Sequence, residues 1–270
     1  MKLSTVVITG ATGAIGSALT EAFWNCGYQV AAVYHQNREA ARQLEERFGE
    51  RLITLQCDVS DSASVEAAFA EVRRQFGGVD VLVNSAGNAQ FSLLTDVTDA
   101  EWRSIMGVHL DGSFYCCRAA LPDMVRQKSG CIINISSIWG ITGGSCEAAY
   151  SAAKAGIIGL TKALAKEVGP SNITVNCIAP GVIGSPMNDR LSAEEMAALT
   201  EEIPLGRIGS GGDVASLAVY LAQQGGFITG QVISPNGGMV IQEALYGKAK
   251  TRSAHCQPHC GKDEIPCADV

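Results

Sequence analysis

Nowhere in its 270 residues is the chain apolar for the roughly 20 positions that a membrane-crossing helix needs. Its longest apolar runs, Leu3 to Ile8 and Val79 to Val83, have the length of strands, so no membrane partner is expected. A concentrated Lys/Arg stripe is also missing. Acidic residues outnumber basic ones 27 to 20 and leave a net charge of -7, so nucleic acid is not expected as a partner. No secretory leader is expected, because Lys2 leads directly into a strand-like run, and a cytoplasmic location is expected. Cysteine is not scarce, but its spacing matches no paired pattern of a structural zinc site. The ten cysteines are expected to remain thiols, and no metal is expected. Soft ligands crowd together only in His255-Cys256-Gln-Pro-His259-Cys260 and at Cys267. These belong to a polar tail from 242 to 270 that is expected to lie outside the core, with a zinc clip as the competing reading.

At 47% hydrophobic and 17% charged residues, the remainder suits one well-packed domain over residues 1–241. Strand-like runs cover Leu3–Thr9, Gln29–Tyr34, Leu52–Gln56, Val79–Asn84, Cys131–Ser136, Ile173–Ile178 and Gln231–Ser234. Helical spacing of apolar residues fills Ala14–Cys26, Arg38–Phe48, Ser62–Phe76, Asp99–Gln127, Ala148–Val168 and Gly212–Gln223. Strands that alternate with helices specify right-handed crossovers, so the expected fold class is α/β: a single-domain, doubly wound (Rossmann) parallel sheet with helices on both faces. In such sheets ligands bind at the carboxyl ends of the strands, near the switch in strand order. Gly10, Asn84, Ser137 and Pro180 follow or end strands and are expected to meet at that edge. Residues 185–210 break the rhythm and are expected to close over a substrate.

Two patterns carry chemistry. Val6-Val-Ile-Thr-Gly10-Ala-Thr12-Gly13-Ala14-Ile15-Gly16 is a strand that breaks into a glycine turn and then a helix, the setting in which unpaired N–H groups and the helix dipole meet a pyrophosphate. Tyr150 and Lys154 stand four apart, thirteen residues beyond Ser137, and in a helix they share a face. A phenol, an ammonium and a hydroxyl at those spacings can serve one carbonyl. The Lys154 charge is expected to lower the Tyr150 pKa from its usual value of about 10.

Taken together, the glycine turn, Asp58-Val59, Asn84-Ser-Ala86-Gly87, Ser137, Tyr150/Lys154 and Pro180-Gly181 resemble the classical short-chain dehydrogenases/reductases over about residues 3 to 241. Within that family the chain is most similar to bacterial 3-oxoacyl-carrier-protein reductases. Ser136 to Gly140 and Gly144 to Tyr150 are also similar to the elongation factor P 5-aminopentanone reductases. The resemblance implies ketone reduction by hydride transfer, with Tyr150 as general acid, Ser137 holding the carbonyl oxygen and Lys154 tuning Tyr150 and binding ribose hydroxyls. It implies that Asp58 and Val59 contact the adenine, and that Asn84, Ala86 and Gly87 shape the cofactor cleft. Pro180, Gly181, Val182, Ile183 and Ser185 would line the nicotinamide side. It further implies a homotetramer and a ketone that is either a small molecule or carrier-bound.

Three positions depart from the family pattern. Ala14 follows Gly13 where a second turn glycine is usual, Ser185 replaces a frequent Thr, and His109 stands where an Asn commonly anchors a water chain to the lysine. His109 titrates near neutrality when unperturbed, and its readings as proton relay and as packed helix residue both stay open. After the second strand, Tyr34-His35-Gln-Asn-Arg38 has no carboxylate before Glu39, which favours NADP over NAD, with His35 and Arg38 meeting the 2′-phosphate. Arg38 as a solvated first-turn residue is the alternative. Competing functions are oxidation of a free alcohol such as a hydroxysteroid or sugar, and non-catalytic dinucleotide sensing. Glu147 invites a cationic substrate or simply decorates a helix start.

Overall fold

The computed structural model of the chain describes residues 3–185 and 192–241. Strands β1 (Thr5–Thr9), β2 (Gln29–Tyr34), β3 (Leu52–Gln56), β4 (Val81–Asn84), β5 (Gly130–Ile135), β6 (Ile173–Ile178) and β7 (Val232–Ile233) form one sheet in the order β3-β2-β1-β4-β5-β6-β7. Every pairing in it is parallel. The direction of winding switches between β1 and β4, which opens a crevice at their carboxyl ends. The expected doubly wound fold is therefore present.

Alternation along the strands decides which residues meet which layer. Val6 and Ile8 of β1, with Val30 and Ala32, face helix α1 (Ala14–Asn25) and helix α9 (Gly211–Gln223) through Leu19, Phe23, Val214 and Ala218. Val7, Ala31, Val33 and Leu82 face the other way, toward α3 (Ser62–Phe76) and α5 (Gly112–Gln127), against Phe69, Val72, Cys116 and Met124. Phe23 and Phe69 are wholly buried, and each contributes about 1.5–3 kcal/mol of transfer free energy. Helix starts follow side-chain capping: Asn37 caps α2 (Arg38–Phe48), Asp61 caps α3, and reciprocal capping boxes open α4 (Asp99–Met106) and α9.

Several expected boundaries shift for identifiable reasons. The first and fourth strands start later than Leu3 and Val79, since Thr5 N donates to the Asp80 carboxylate at 2.8 Å and Asp80 N donates to Thr5 O at 3.0 Å. Pairing proper then begins at Val6 and Val81. The single helix expected over Asp99–Gln127 is instead α4, a π-helical turn at Gly107–Asp111, and α5. Two short helices, α6 (Trp139–Thr142) and α8 (Ala193–Glu201), flank the long α7 (Ala148–Val168) in sequence. The cysteines within the described residues are all free thiols, and Cys57, Cys116, Cys117, Cys131 and Cys177 are buried. The His255 to Cys267 cluster lies outside the described residues.

Candidate active site

The crevice begins where β1 ends. Gly10 turns with φ +66°, and a side chain there would come within 2.8 Å of the Ala86 backbone, so the turn nests against the end of β4. Thr9 ties the two strand ends together: its Oγ1 accepts from Ser85 N and Ala86 N, both at 3.0 Å. Gly13 is the N-cap of α1 and supplies no side chain, which leaves the first-turn N–H groups uncapped. Gly10, Thr12, Gly13, Ala14, Ile15 and Gly16, expected to meet a pyrophosphate, lie in this turn and the helix start after it, and the open N–H groups fit an anion there.

A second cluster forms at the ends of β2 and β3. Tyr34 is buried and His35 is exposed, its Nε2 3.7 Å from the Asp58 carboxylate. Ser60 donates to Asp58 from Oγ at 2.7 Å and from N at 2.9 Å, and these bonds hold the Asp58 carboxyl below its ordinary pKa. Arg38 opens α2 and donates to Gln56 Oε1 at 3.3 Å. Val59 is buried, and Gly112 makes room for it.

The reactive groups gather at the adjoining strand ends. Ser137 lies two residues past β5, and its Oγ accepts from Trp139 N at 3.2 Å. Its neighbour Ser136 turns inward and donates to Lys154 O at 2.8 Å, which moors α7 to β5. Asn84 and Asn134 sit side by side on β4 and β5, and Asn84 Nδ2 donates to Asn134 Oδ1 at 2.8 Å. Tyr150 and Lys154 project from the same face of α7, with Nζ 5.4 Å from the centre of the phenol ring. Lys154 is buried, and Nζ donates to Ile135 O at 2.8 Å.

Electrostatics here differ from the expectation. Burial pushes the Tyr150 phenol up to about 12, a hydrogen bond with Ser137 pulls against that, and the Glu147 carboxylate adds to it. Lys154 does not lower it in this structure. Its own ammonium is disfavoured by burial, which brings its pKa down to about 8. The i, i+4 spacing places the pair correctly, but desolvation dominates the titration.

His109, only 2% exposed, sits in the π-helical turn, where Ser113 Oγ donates to its carbonyl at 2.7 Å. Its ring meets Tyr150 edge-on at 5.2 Å between centres. Nε2 lies 2.8 Å from Asn88 O and 3.2 Å from Asn88 N. Gly87 makes the slot: a side chain there would stand 2.5 Å from His109 Cε1. Burial first, and the Lys154 charge second, push the imidazole down to about 3, so His109 does not titrate near neutrality as its unperturbed value suggested. Sequence reasoning passed over Asn88, whose only signal was its place directly after Gly87.

A model described as Enoyl-(Acyl carrier protein) reductase matches residues 10–240. The chain belongs to the short-chain dehydrogenase/reductase family. It is 41% identical over 246 residues to the 3-oxoacyl-[acyl-carrier-protein] reductase FabG of Staphylococcus aureus (strain Mu50), covering 89% of this chain and 100% of that protein. The FabG of Chlamydia muridarum is 39% identical over 238 residues, 86% of this chain and 96% of that one. The Bacillus subtilis (strain 168) protein called uncharacterized oxidoreductase YmfI is 36% identical over 239 residues, with coverages of 87% and 98%. Membership makes the chain an NAD(P)-dependent oxidoreductase of the ketone-reducing kind.

The residues expected to line a nicotinamide follow the end of β6. Pro180 O accepts from Ile138 N at 3.0 Å, Gly181 N donates to Pro235 O at 3.1 Å, and Gly209 N donates to Val182 O at 2.9 Å. Ile183 bridges to Gly209, and Ser185 is the last described residue before 192. Val182, Ile203, Leu205 and Asn236 help to line a cavity of about 150 Å³ beside this turn. Among the described residues no helix is long and apolar enough to cross a membrane.

Proposed function

We propose that the chain reduces the ketone of a 3-oxoacyl group carried as a thioester on acyl carrier protein, with NADPH as reductant. One observation carries the reaction: the Tyr150 phenol stands with Lys154 Nζ 5.4 Å from its ring and His109 edge-on at 5.2 Å, and Ser137 follows β5 at the strand ends where the glycine turn also lies. Bound reduced nicotinamide supplies a hydride to the ketone carbon. Ser137 holds the carbonyl oxygen while that oxygen takes the electron pair of the C=O bond. Tyr150 then transfers its phenolic proton to the oxygen, and a secondary alcohol results. A phenol raised to about 12 keeps its proton at neutral pH, as an acid must. Lys154 holds the nicotinamide ribose. His109 fixes the edge of the Tyr150 ring as a neutral group.

The assigned carrier rests on the names of the FabG relatives. NADPH rests on His35 and Arg38 at the end of β2, in a stretch without a carboxylate before Glu39. Asp58 and Val59 take the adenine, Asn84, Ala86 and Gly87 shape the cleft, and Pro180 to Ile183 with Ser185 line the nicotinamide. A homotetramer is supported by the exposed Phe114 and Val125 of α5, by exposed Tyr220 of α9 and by exposed Phe227 in the segment before β7.

Replacing Tyr150 with Phe keeps the ring and deletes the acid. Reduction of an acetoacetyl thioester with NADPH is expected to fall by about 10²–10⁴-fold. An undiminished rate refutes the assignment.

A further inference from the structure

Gln90 turns its amide the wrong way. The residue as a whole is only partly buried, yet both Nε2 and Oε1 are shut away from solvent without a hydrogen-bond partner among the described residues. Long polar side chains ordinarily bury the stem and leave the head in water. A buried and unmatched amide costs free energy, and one retained in a fold calls for an explanation.

The loop around Gln90 is held at two points beside Tyr150. On one side the backbone of Asn88 contacts His109 Nε2 at 2.8 and 3.2 Å, and the His109 ring packs edge-on against Tyr150. On the other side Ser92 N donates to Cys146 O at 2.8 Å, one helical turn ahead of Tyr150 in sequence. Gln90 lies midway between these anchors. Two further polar atoms, on the residue two before Gln90 and on the ring its backbone contacts, are buried and unpartnered among the described residues: Asn88 Oδ1 and His109 Nδ1, the latter on a ring only 2% exposed. An unmatched amide on a loop anchored at both ends beside Tyr150 is placed to meet a polar guest. Gln90 Nε2 offers donors and Oε1 an acceptor, and the Nε2 donors fit an acceptor such as a carbonyl oxygen.

We propose that Gln90 is a specificity-determining residue whose amide receives the second carbonyl of a 1,3-dicarbonyl substrate while Tyr150 serves the ketone. The inference rests on the reading of Tyr150 as the proton donor to a ketone. In a 3-oxoacyl thioester that second group is the thioester carbonyl, two carbons from the reacting one. A ketone with no second acceptor leaves the amide as unmatched as it is in the structure. A site with a buried donor discriminates strongly against a ligand that cannot pair with it.

The test compares the full chain with Gln90→Leu, which keeps the bulk and removes both polar atoms. With NADPH, kcat/KM for acetoacetyl-N-acetylcysteamine is expected to fall at least tenfold, mainly through KM, while that for 2-hexanone stays within twofold. Binding is read separately by calorimetry with NADP⁺ present, where no reduction is possible, and the variant is expected to bind the acetoacetyl thioester at least tenfold more weakly. Equal losses on both ketones, or unchanged binding of the thioester, overturn the proposal. So does failure of the unaltered chain to bind the thioester. If the unaltered chain binds it in a Gln90-dependent way but reduces neither ketone, the reductase reading fails and the Gln90 assignment stands.

Discussion

Lys154 is held in the fold at a cost, and replacing it with Met should expose that cost. Burial brings its pKa from 10.5 to about 8, a depression that corresponds to about 3 kcal/mol against the charged form in the folded chain. The sign follows from proton counts. Below pH 8 the lysine is protonated in both states, and folding carries the full burden. Between pH 8 and 10.5 the folded chain releases the proton while the unfolded chain keeps it, so stability attributable to this group rises with pH. By pH 10 about 1 kcal/mol of the burden is left. Lys154→Met removes the burden but also deletes the Nζ to Ile135 O hydrogen bond at 2.8 Å, worth about 2 kcal/mol from the ammonium at pH 7 and about 1 kcal/mol from the amine at pH 10. The variant is therefore expected to be more stable than the parent by about 1 kcal/mol at pH 7, or roughly 2–4 °C in Tm. That advantage should vanish by pH 10, and turnover should be lost at both values. Thermal scans of both proteins at the two pH values, without cofactor, measure the difference. A variant destabilised equally at pH 7 and pH 10 would show that Lys154 is not held against its charge, and the electrostatic account of the site would fail.

Two more outcomes follow from the geometry. Arg38→Ala should raise KM for NADPH about tenfold, a loss of about 1.4 kcal/mol, with little effect on NADH. No change for either cofactor would make Arg38 a solvated helix-start residue. With the imidazole pushed down to about 3, nitrogen NMR of His109 should report a neutral ring from pH 5 to pH 9, and a midpoint near 6.5 would contradict its burial.

Much of this arrangement was legible before any coordinates. The glycine turn, Asn84, Ser137 and Tyr150/Lys154 each follow or end a strand or share a helix face, and strand ends and helix faces are what periodicity specifies. What stayed hidden depends on partners far apart in sequence. The phenol's raised pKa comes from packing, which spacing does not report. The π-helical turn is invisible because one surplus residue hardly disturbs the apolar spacing of Asp99–Gln127. Asn88 and Gln90 lie in a loop, where no period marks a buried side chain. His35 and Asp58 were separate readings, and only parallel pairing of β2 with β3 brings them within 3.7 Å.

The surplus residue at Gly107–Asp111 makes chain length, rather than composition, the sensitive variable in this part of the molecule. One residue is about 100° of rotation in an α-helix. A deletion within the turn would heal the helix and swing either α4 or the His109 ring by more than a quarter of a circle, although every remaining side chain would be unchanged. Substitutions there are graded in effect, whereas a single-codon loss is all or nothing. The turn acts as a phase setting between the outer helix and the reactive cluster.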